Sequence, residues 1–398
     1  MSTSRGPLAG IKVVEFGQNL AGPYCGQILA FLGAEVVKVE RPEGDDARKW
    51  GPPFVEGDAT GFIALNRGKK SITCDLPDPK QREALIERIG AADVFVHNLR
   101  ADVPAKFGFD GATLTKRFPR LIYADLGAFG HAGPWKDRPG YEPIIQAVAG
   151  LISLNGDPSG PEARIGVSII DLSTGMWTAI GVLAALAKRT STGQGSLVNT
   201  SLFESGLMWA SNHVAGWSVT DRMPPRQGTG HPSLTPYQAF ECSDGPLMIC
   251  PGNDRLWRKF AEALGHPEWP DEERFRTNVQ RSERRELLLG MIVADPDAYL
   301  QLFLGDDGYI ARAARFDYPK PSEEDAEFPP EFFSVVDFMN YCATAFPESV
   351  ALHRIPSTAL QVVSRRFREG KRIEPVNLKT PEGLARAGLD HASLAPRN

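Results

Sequence analysis

Residues 11–42 read IKVVEFGQNLAGPYCGQILAFLGAEVVKVERP, and the order of residue types in them sets the fold. Ile11–Phe16 is a short apolar run of strand length, rich in β-branched side chains. Gly17–Gly22 follows as a loop, and Pro23 suits the first turn of a helix, where its missing N–H loses no bond. That helix reaches about Leu32 and stops at Gly33. Glu35–Glu40 forms the next strand, closed by Pro42. Strand, helix and strand make one βαβ unit, so the strands are parallel and the sheet must be covered by helices.

The pattern continues with strands at Ser71–Asp75, Val94–His97 and Leu121–Leu126, and a helix at Gln81–Ile89. The expected class is α/β, with a doubly wound, Rossmann-like large domain over residues 1–207. Ligands in such sheets bind outside the carboxyl ends of the strands, here Phe16–Pro23, Glu40–Pro42, His97–Arg100 and Leu126–His131. Pro143–Leu154 reads as helical, and so does about Ser201 to Trp217. Residues 208–225 are taken as a linker, 226–330 as a smaller α+β domain and 331–398 as a divergent C-terminal region. In the smaller domain Tyr237–Cys250 reads as a hairpin turning at Ser243-Asp244-Gly245. Asp254–Leu264 and Ser282–Ile292 read as helices.

Composition narrows the function. A formal net charge of −5 argues against a general nucleic-acid binder, though not against a local basic pocket. Five scattered cysteines without C-x-x-C spacing read as reduced thiols, neither a disulfide framework nor a zinc site. Met1–Gly10 lacks the form of a secretory signal, and the apolar run Met176–Ala187 is too short to span a bilayer. The expectation is a soluble, cytoplasmic protein with no membrane or nucleic-acid partner and no metal.

The chemistry centres on residues 165–175, IGVSIIDLSTG. Here Asp171 ends an apolar, strand-like run just before a helix over Met176–Arg189. A helix start carries partial positive charge, so it favours an ionised carboxylate, and such a carboxylate is a candidate nucleophile. The plainer alternative makes Asp171 only a helix cap, with Ser173 as an equal candidate. The glycines at 17, 22 and 26 do not make G-x-G-x-x-G, although the βαβ unit ends in Glu40 as a dinucleotide site would. No phosphate-loop or G-x-S-x-G motif occurs. His97, His131, His213 and His231 show no metal spacing and read as solvent-facing or structural. Arg41, Arg67, Lys69, Lys70, Arg100 and Lys106 fall at strand ends and loops, where they make either a solvated surface or a site for several phosphates, as in coenzyme A.

These residues also carry a resemblance. Ile11–Pro42, Asn66–Ser71, His97–Arg100, Gly140–Ala147, Asp171–Gly175, Arg226–Phe240 and Glu273–Asn278 follow in order the signatures of the class III CoA-transferases. That family includes formyl-CoA:oxalate and carnitine CoA-transferases and is related to the α-methylacyl-CoA racemases. The resemblance runs from Pro7 to Leu288. It implies an acyl-CoA:carboxylate CoA-transferase in which Asp171 is the nucleophile and Glu142 supports it. CoA, the substrate thioester, is implied to lie on Leu20, Ala21, Arg41, Lys69, Asn98, Leu99, Arg100 and Lys106. Tyr141 and the loop residues Gly252 and Asn253 are implied to flank the substrate. An interlocked homodimer is implied as well.

Two other readings stay open. A racemase needs two acid/base groups on opposite faces of a carbon, and Tyr141-Glu142 stands where the racemase histidine would be. A non-catalytic CoA-binding protein with the same fold is the other. It arises because Pro375-Val376-Asn377 comes only after a long unfamiliar stretch from Val293, where the family pattern returns to the large domain.

Overall fold

The computed structural model describes residues 6–242, 245–294 and 311–312. By contacts the chain divides into two compact units, one ending at Ser233 and one starting at Leu234. The first opens with β1 (Lys12–Phe16), α1 (Ala21–Phe31) and β2 (Glu35–Glu40), the unit read from the sequence. A small hairpin, β3 (Phe54–Val55) and β4 (Asp58–Ala59), leads through α2 (Thr60–Asn66) to β5 (Lys70–Thr73). Then come α3 (Pro79–Gly90), β6 (Val94–His97), α4 (Asp102–Lys106), α5 (Gly111–Arg117) and β7 (Ile122–Gly127). The unit closes with α6 (Glu142–Val148), α7 (Leu151–Leu154), α8 (Ile169–Thr192), β8 (Ser196–Ser201), α9 (Leu202–Trp209) and α10 (Ser211–Thr220).

Six of its eight described strands form one parallel sheet in the order β5-β2-β1-β6-β7-β8. The order reverses between β1 and β6, which is where a doubly wound sheet opens a crevice. Successive side chains go to opposite faces. Val13, Val94 and Val96 join α1 and α8 in one buried cluster, while Val14, Phe95 and Val39 join α3 and α5 in another.

Charge is buried inside this sheet. Glu15 and Lys38 are register partners on β1 and β2, with Lys38 Nζ 3.2 Å from Glu15 Oε1 and 2.9 Å from Asp45 Oδ2. Lys69 Nζ lies 2.6 Å from the other oxygen of Glu15. Two ammonium groups face two carboxylates, so the desolvated charges balance.

Several boundaries differ from the sequence reading. Pro143–Leu154 is two helices, broken at Gly150, whose φ is +82°. The strand β8 was not anticipated. The segment 208–225 holds the end of α9 and all of α10, within the first unit. Residues 165–168 form no strand, and α8 begins at Ile169, well ahead of Met176. With 24 residues and a mean hydropathy of 1.6 over an 18-residue window, α8 is long and apolar enough to cross a membrane on those counts alone. It packs against α1 and β8, and Thr174 donates to Ser205 Oγ at 2.8 Å from its buried side.

In the second unit β9 (Gln238–Cys242) and β10 (Gly245–Ile249) form the expected antiparallel hairpin, joined on β10 by β11 (Ala311–Arg312). The turn residues 243–244 and the region 331–398 lie outside the described residues. Among the described residues its helices are α11 (Asp254–Ala263), α12 (Asn278–Glu283) and α13 (Arg285–Ala294), so one helix expected at Ser282–Ile292 is two. Trp257, Phe275 and Leu288 are central to its core. Arg281 is fully buried and donates to Thr235 O at 2.8 Å, Phe275 O at 3.0 Å and Asp254 Oδ1 at 2.8 Å.

Candidate active site

A cleft of about 1550 Å³ opens over the carboxyl ends of β1, β6 and β7 and the starts of α1, α6 and α8. Its inner wall is the loop after β1, which three neighbours hold. Asn98, just past β6, accepts the Gln18 N–H and donates to Gln18 O, both at 2.8 Å. Lys38 donates to Gly17 O at 2.7 Å, and Asp45 Oδ1 accepts the Asn19 N–H at 3.1 Å. The buried charges of the sheet thus fix the turn that presents Leu20 and Ala21. Leu20 stands at the N-cap of α1 with no side-chain acceptor, so it leaves first-turn N–H groups uncapped for a ligand.

Asp171 is the third residue of α8. Neither capping role offered by the sequence is taken: Ser168 occupies the cap position without a side-chain bond. Ser173 donates to Ile170 O at 3.1 Å and accepts from Trp209 Nε1 at 3.0 Å. Burial, and then the charge of Glu142, raise the Asp171 carboxyl to about 7. The expectation was a carboxylate kept ionised by its helix start; burial and Glu142 act in the opposite direction. Gly175, one turn on, lies against α1: a Cβ there would fall 2.7 Å from Ala21 O and 3.1 Å from Tyr24 Cβ. The two helices therefore meet at backbone contact beside the cleft.

Glu142 begins α6 and is only 4% exposed. Its Oε1 accepts from Gln146 Nε2 at 2.6 Å, while Oε2 is buried with no hydrogen bond. Gln146 also accepts the Ile165 N–H at 2.8 Å and donates to Ile165 O at 3.3 Å, tying the segment that leads into α8 onto α6.

The structure brings together Leu20, Ala21, Arg41, Asn98, Leu99, Arg100, Tyr141, Glu142 and Asp171 on the wall of this one cleft. Lys69 is not on that wall: its ammonium is buried against Glu15 and donates to Pro23 O at 2.6 Å, so it braces α1. Lys106 is also off it, exposed on α4 with its ammonium 5.3 Å from the centre of the Phe107 ring. Gly252 and Asn253 belong to the second unit, where Asn253 Oδ1 accepts the Leu256 N–H at 3.0 Å and caps α11. Glu40 is saturated, accepting from Arg48 at 2.7 Å on both oxygens, from Ser71 and from Asp45 N. Buried His97 lies 2.7 Å from the Tyr123 hydroxyl, and burial pushes its pKa down.

Sequence reasoning missed Lys136, Arg138 and Arg164, which also line the cleft. The first two lie in an irregular loop with no periodic signal. Arg164 had a signal in its nearness to Asp171. Among the described residues no group of His, Cys, Asp or Glu side chains is placed to hold a metal ion.

Comparison with known proteins agrees with this geometry. Residues 8–295 match the model of CoA-transferase family III. A succinate–glutarate CoA-transferase of Agrobacterium fabrum is 38% identical, over 71% of this chain and 72% of that protein. An acetyl-CoA:oxalate CoA-transferase of Acetobacter aceti is 37% identical, over 71% and 73%. The crystal structure of a CaiB/BaiF family protein from Brucella suis superposes with a TM-score of 0.65 at 38% identity, covering 75% of this chain and 82% of that one. With the sheet, the cleft and these relatives in agreement, the chain belongs to CoA-transferase family III and is a CoA-transferase.

Proposed function

We propose that the protein passes CoA from an acyl-CoA to a free carboxylic acid through covalent intermediates on Asp171. The observation that carries this is the state of Asp171: on the cleft wall, stripped of hydrogen bonds among the described residues, and raised to about 7. A poorly solvated carboxylate, once ionised, is an activated nucleophile. Its oxygen attacks the thioester carbonyl, the C–S bond breaks, and an acyl–aspartyl anhydride and CoA thiolate result. The thiolate then attacks the aspartyl carbonyl, expels the donor acid and leaves an aspartyl-CoA thioester. The acceptor carboxylate repeats the sequence in reverse and restores Asp171. One thioester is exchanged for another, so the cycle is close to isoenergetic.

CoA lies in this reading along Leu20, Ala21 and Asn98, with Arg41 and Arg100 for its phosphates. The acids named for the relatives, succinate, glutarate and oxalate, support a dicarboxylic acid as substrate here. Exposed Met176, Trp177 and Ile180 on α8, with Met208, Trp209 and Trp217, support a homodimer.

The test is chemical trapping. Incubation with acyl-CoA and hydroxylamine should convert Asp171 to a hydroxamate visible by mass spectrometry, and Asp171→Ala should yield none. Transfer by the alanine variant at the native rate sinks the mechanism. Asp171-dependent deuterium exchange at C2 of a 2-methylacyl-CoA, without any acceptor acid, restores the racemase reading.

A further inference from the structure

We propose that Arg164 is the specificity-determining residue of this site, binding the second carboxylate of a dicarboxylic acid whose first carboxylate reacts at Asp171. The inference rests on the reading of Asp171 as the group that carries the exchange.

Arg164 lies on the cleft wall with Asp171 and Glu142. Its root is held: Nε donates to Ile165 O at 3.2 Å, and both polar groups of the Ile165 backbone are bound by Gln146. Its head is open. Nη2 stands 3.9 Å from Glu142 Oε2, beyond hydrogen-bond length, and the side chain is 46% exposed. Glu142 Oε2, buried and without a donor, is the other half of this unclosed pair. The remaining arginines of the cleft are differently engaged. Arg41 is bound to Asp46 and to Gly44 O at 3.0 Å, Arg100 spans both oxygens of Asp102 at 3.1 Å, and Arg138 lies over the Trp135 ring at 5.1 Å. Arg164 and Arg138 are the cleft arginines whose terminal nitrogens hydrogen-bond nothing among the described residues, and of the two only Arg164 stands beside Glu142.

Charge makes use of that fork. An acceptor reaching Asp171 enters the field of buried Glu142, and a diacid brings two negative charges to it. A guanidinium binds a carboxylate through two parallel N–H groups, offsetting the second charge and fixing the diacid's direction. A monoacid of the same length has nothing to place on the fork, so selection falls between the two classes.

The experiment compares succinate and glutarate with butyrate and pentanoate as acceptors, using acetyl-CoA, a donor with no second carboxylate. Wild type should favour the diacids. Arg164→Gln should lower kcat/KM for the diacids by about 10- to 100-fold while monoacid values move less than about 3-fold and the KM for acetyl-CoA stays put. Arg164→Lys should restore part of the preference. An equal loss for all four acids, or an unchanged ratio, overturns the proposal by giving Arg164 a merely structural or negligible part. A wild type without diacid preference overturns it too, yet leaves transfer through Asp171 standing if the monoacids are converted. Loss of the hydroxamate at Asp171 in wild type marks failure of the underlying reading instead.

Discussion

Glu40 and Asp171 are both carboxylates withdrawn from water, one at the end of β2 and one at the start of α8, yet their titrations move apart. Burial raises both. At Glu40 the donors of Arg48, Ser71 and Asp45 more than offset it, and the carboxyl falls to about 2. At Asp171 nothing offsets it and Glu142 adds to it, so the carboxyl rises to about 7. The difference separates a carboxylate built into the fold from one left ready for a substrate: the donors around Glu40, which Asp171 lacks, set the direction.

The largest effect expected from breaking this contrast is at Asp171. Asp171→Asn should cut transfer by at least about 1,000-fold and at the same time stabilise the protein at pH 8. The sign follows from linkage. The folded state keeps the proton up to about 7, whereas the unfolded chain loses it near the ordinary 3.8, so wild-type stability falls as pH rises through that window. Removing the charge should raise stability by about 2 kcal/mol at pH 8 and leave it unchanged at pH 4, read by denaturant titration.

Glu40→Gln should do the reverse, losing about 3 kcal/mol of stability at pH 7 with the pH dependence of transfer unaltered. The folded pKa lies below the unfolded one, so the contribution of Glu40 is present above 4.5 and fades as pH falls toward about 2. A native melting temperature in this variant would break the comparison.

A milder contrast sets Arg100 against Lys69. Arg100→Ala should raise the KM for acyl-CoA about 10-fold with little change in melting temperature. Lys69→Met, which takes the ammonium from Glu15 Oε2 and leaves only Lys38 on Oε1, should lower the melting temperature and leave KM alone. Equal KM effects in both would return Lys69 to the CoA site.

The smallest effect is a shift. The acid limb of kcat/KM for acyl-CoA should have its midpoint near 7, and Glu142→Gln should move it down by about half a unit to one unit, since one cause of the rise is removed. A midpoint unmoved by Glu142→Gln would place burial alone behind the Asp171 value.

The legible part of the fold was the part ruled by local chemistry. Val94–His97 and Glu35–Glu40 coincide with their strands because short valine-rich segments between breakers permit little else. The edge strand Ser196–Ser201 escaped notice because a polar, half-exposed strand lacks that pattern. Ile165–Ile170 misled because a short apolar run before a helix looks like a strand. At the site, the residues of the strand ends were readable from topology, whereas the burial that raises Asp171 depends on α6 and its Glu142. Lys69 shows the limit from the other side: its place in the chain suits a phosphate, and only the register of Glu15 and Lys38 reveals the charges that claim it.

Gly175 has a consequence for tolerance. With 2.7 Å between a would-be Cβ and Ala21 O, the absent methyl group acts as a mechanical stop between α1 and α8. The turn at Leu20–Ala21 and the carboxylate of Asp171 hang on opposite sides of that stop, so their spacing is gauged by hydrogen against backbone and has no slack to take up. An alanine at 175 would pry apart the two jaws of the cleft by pressing on Ala21 O at the root of one of them.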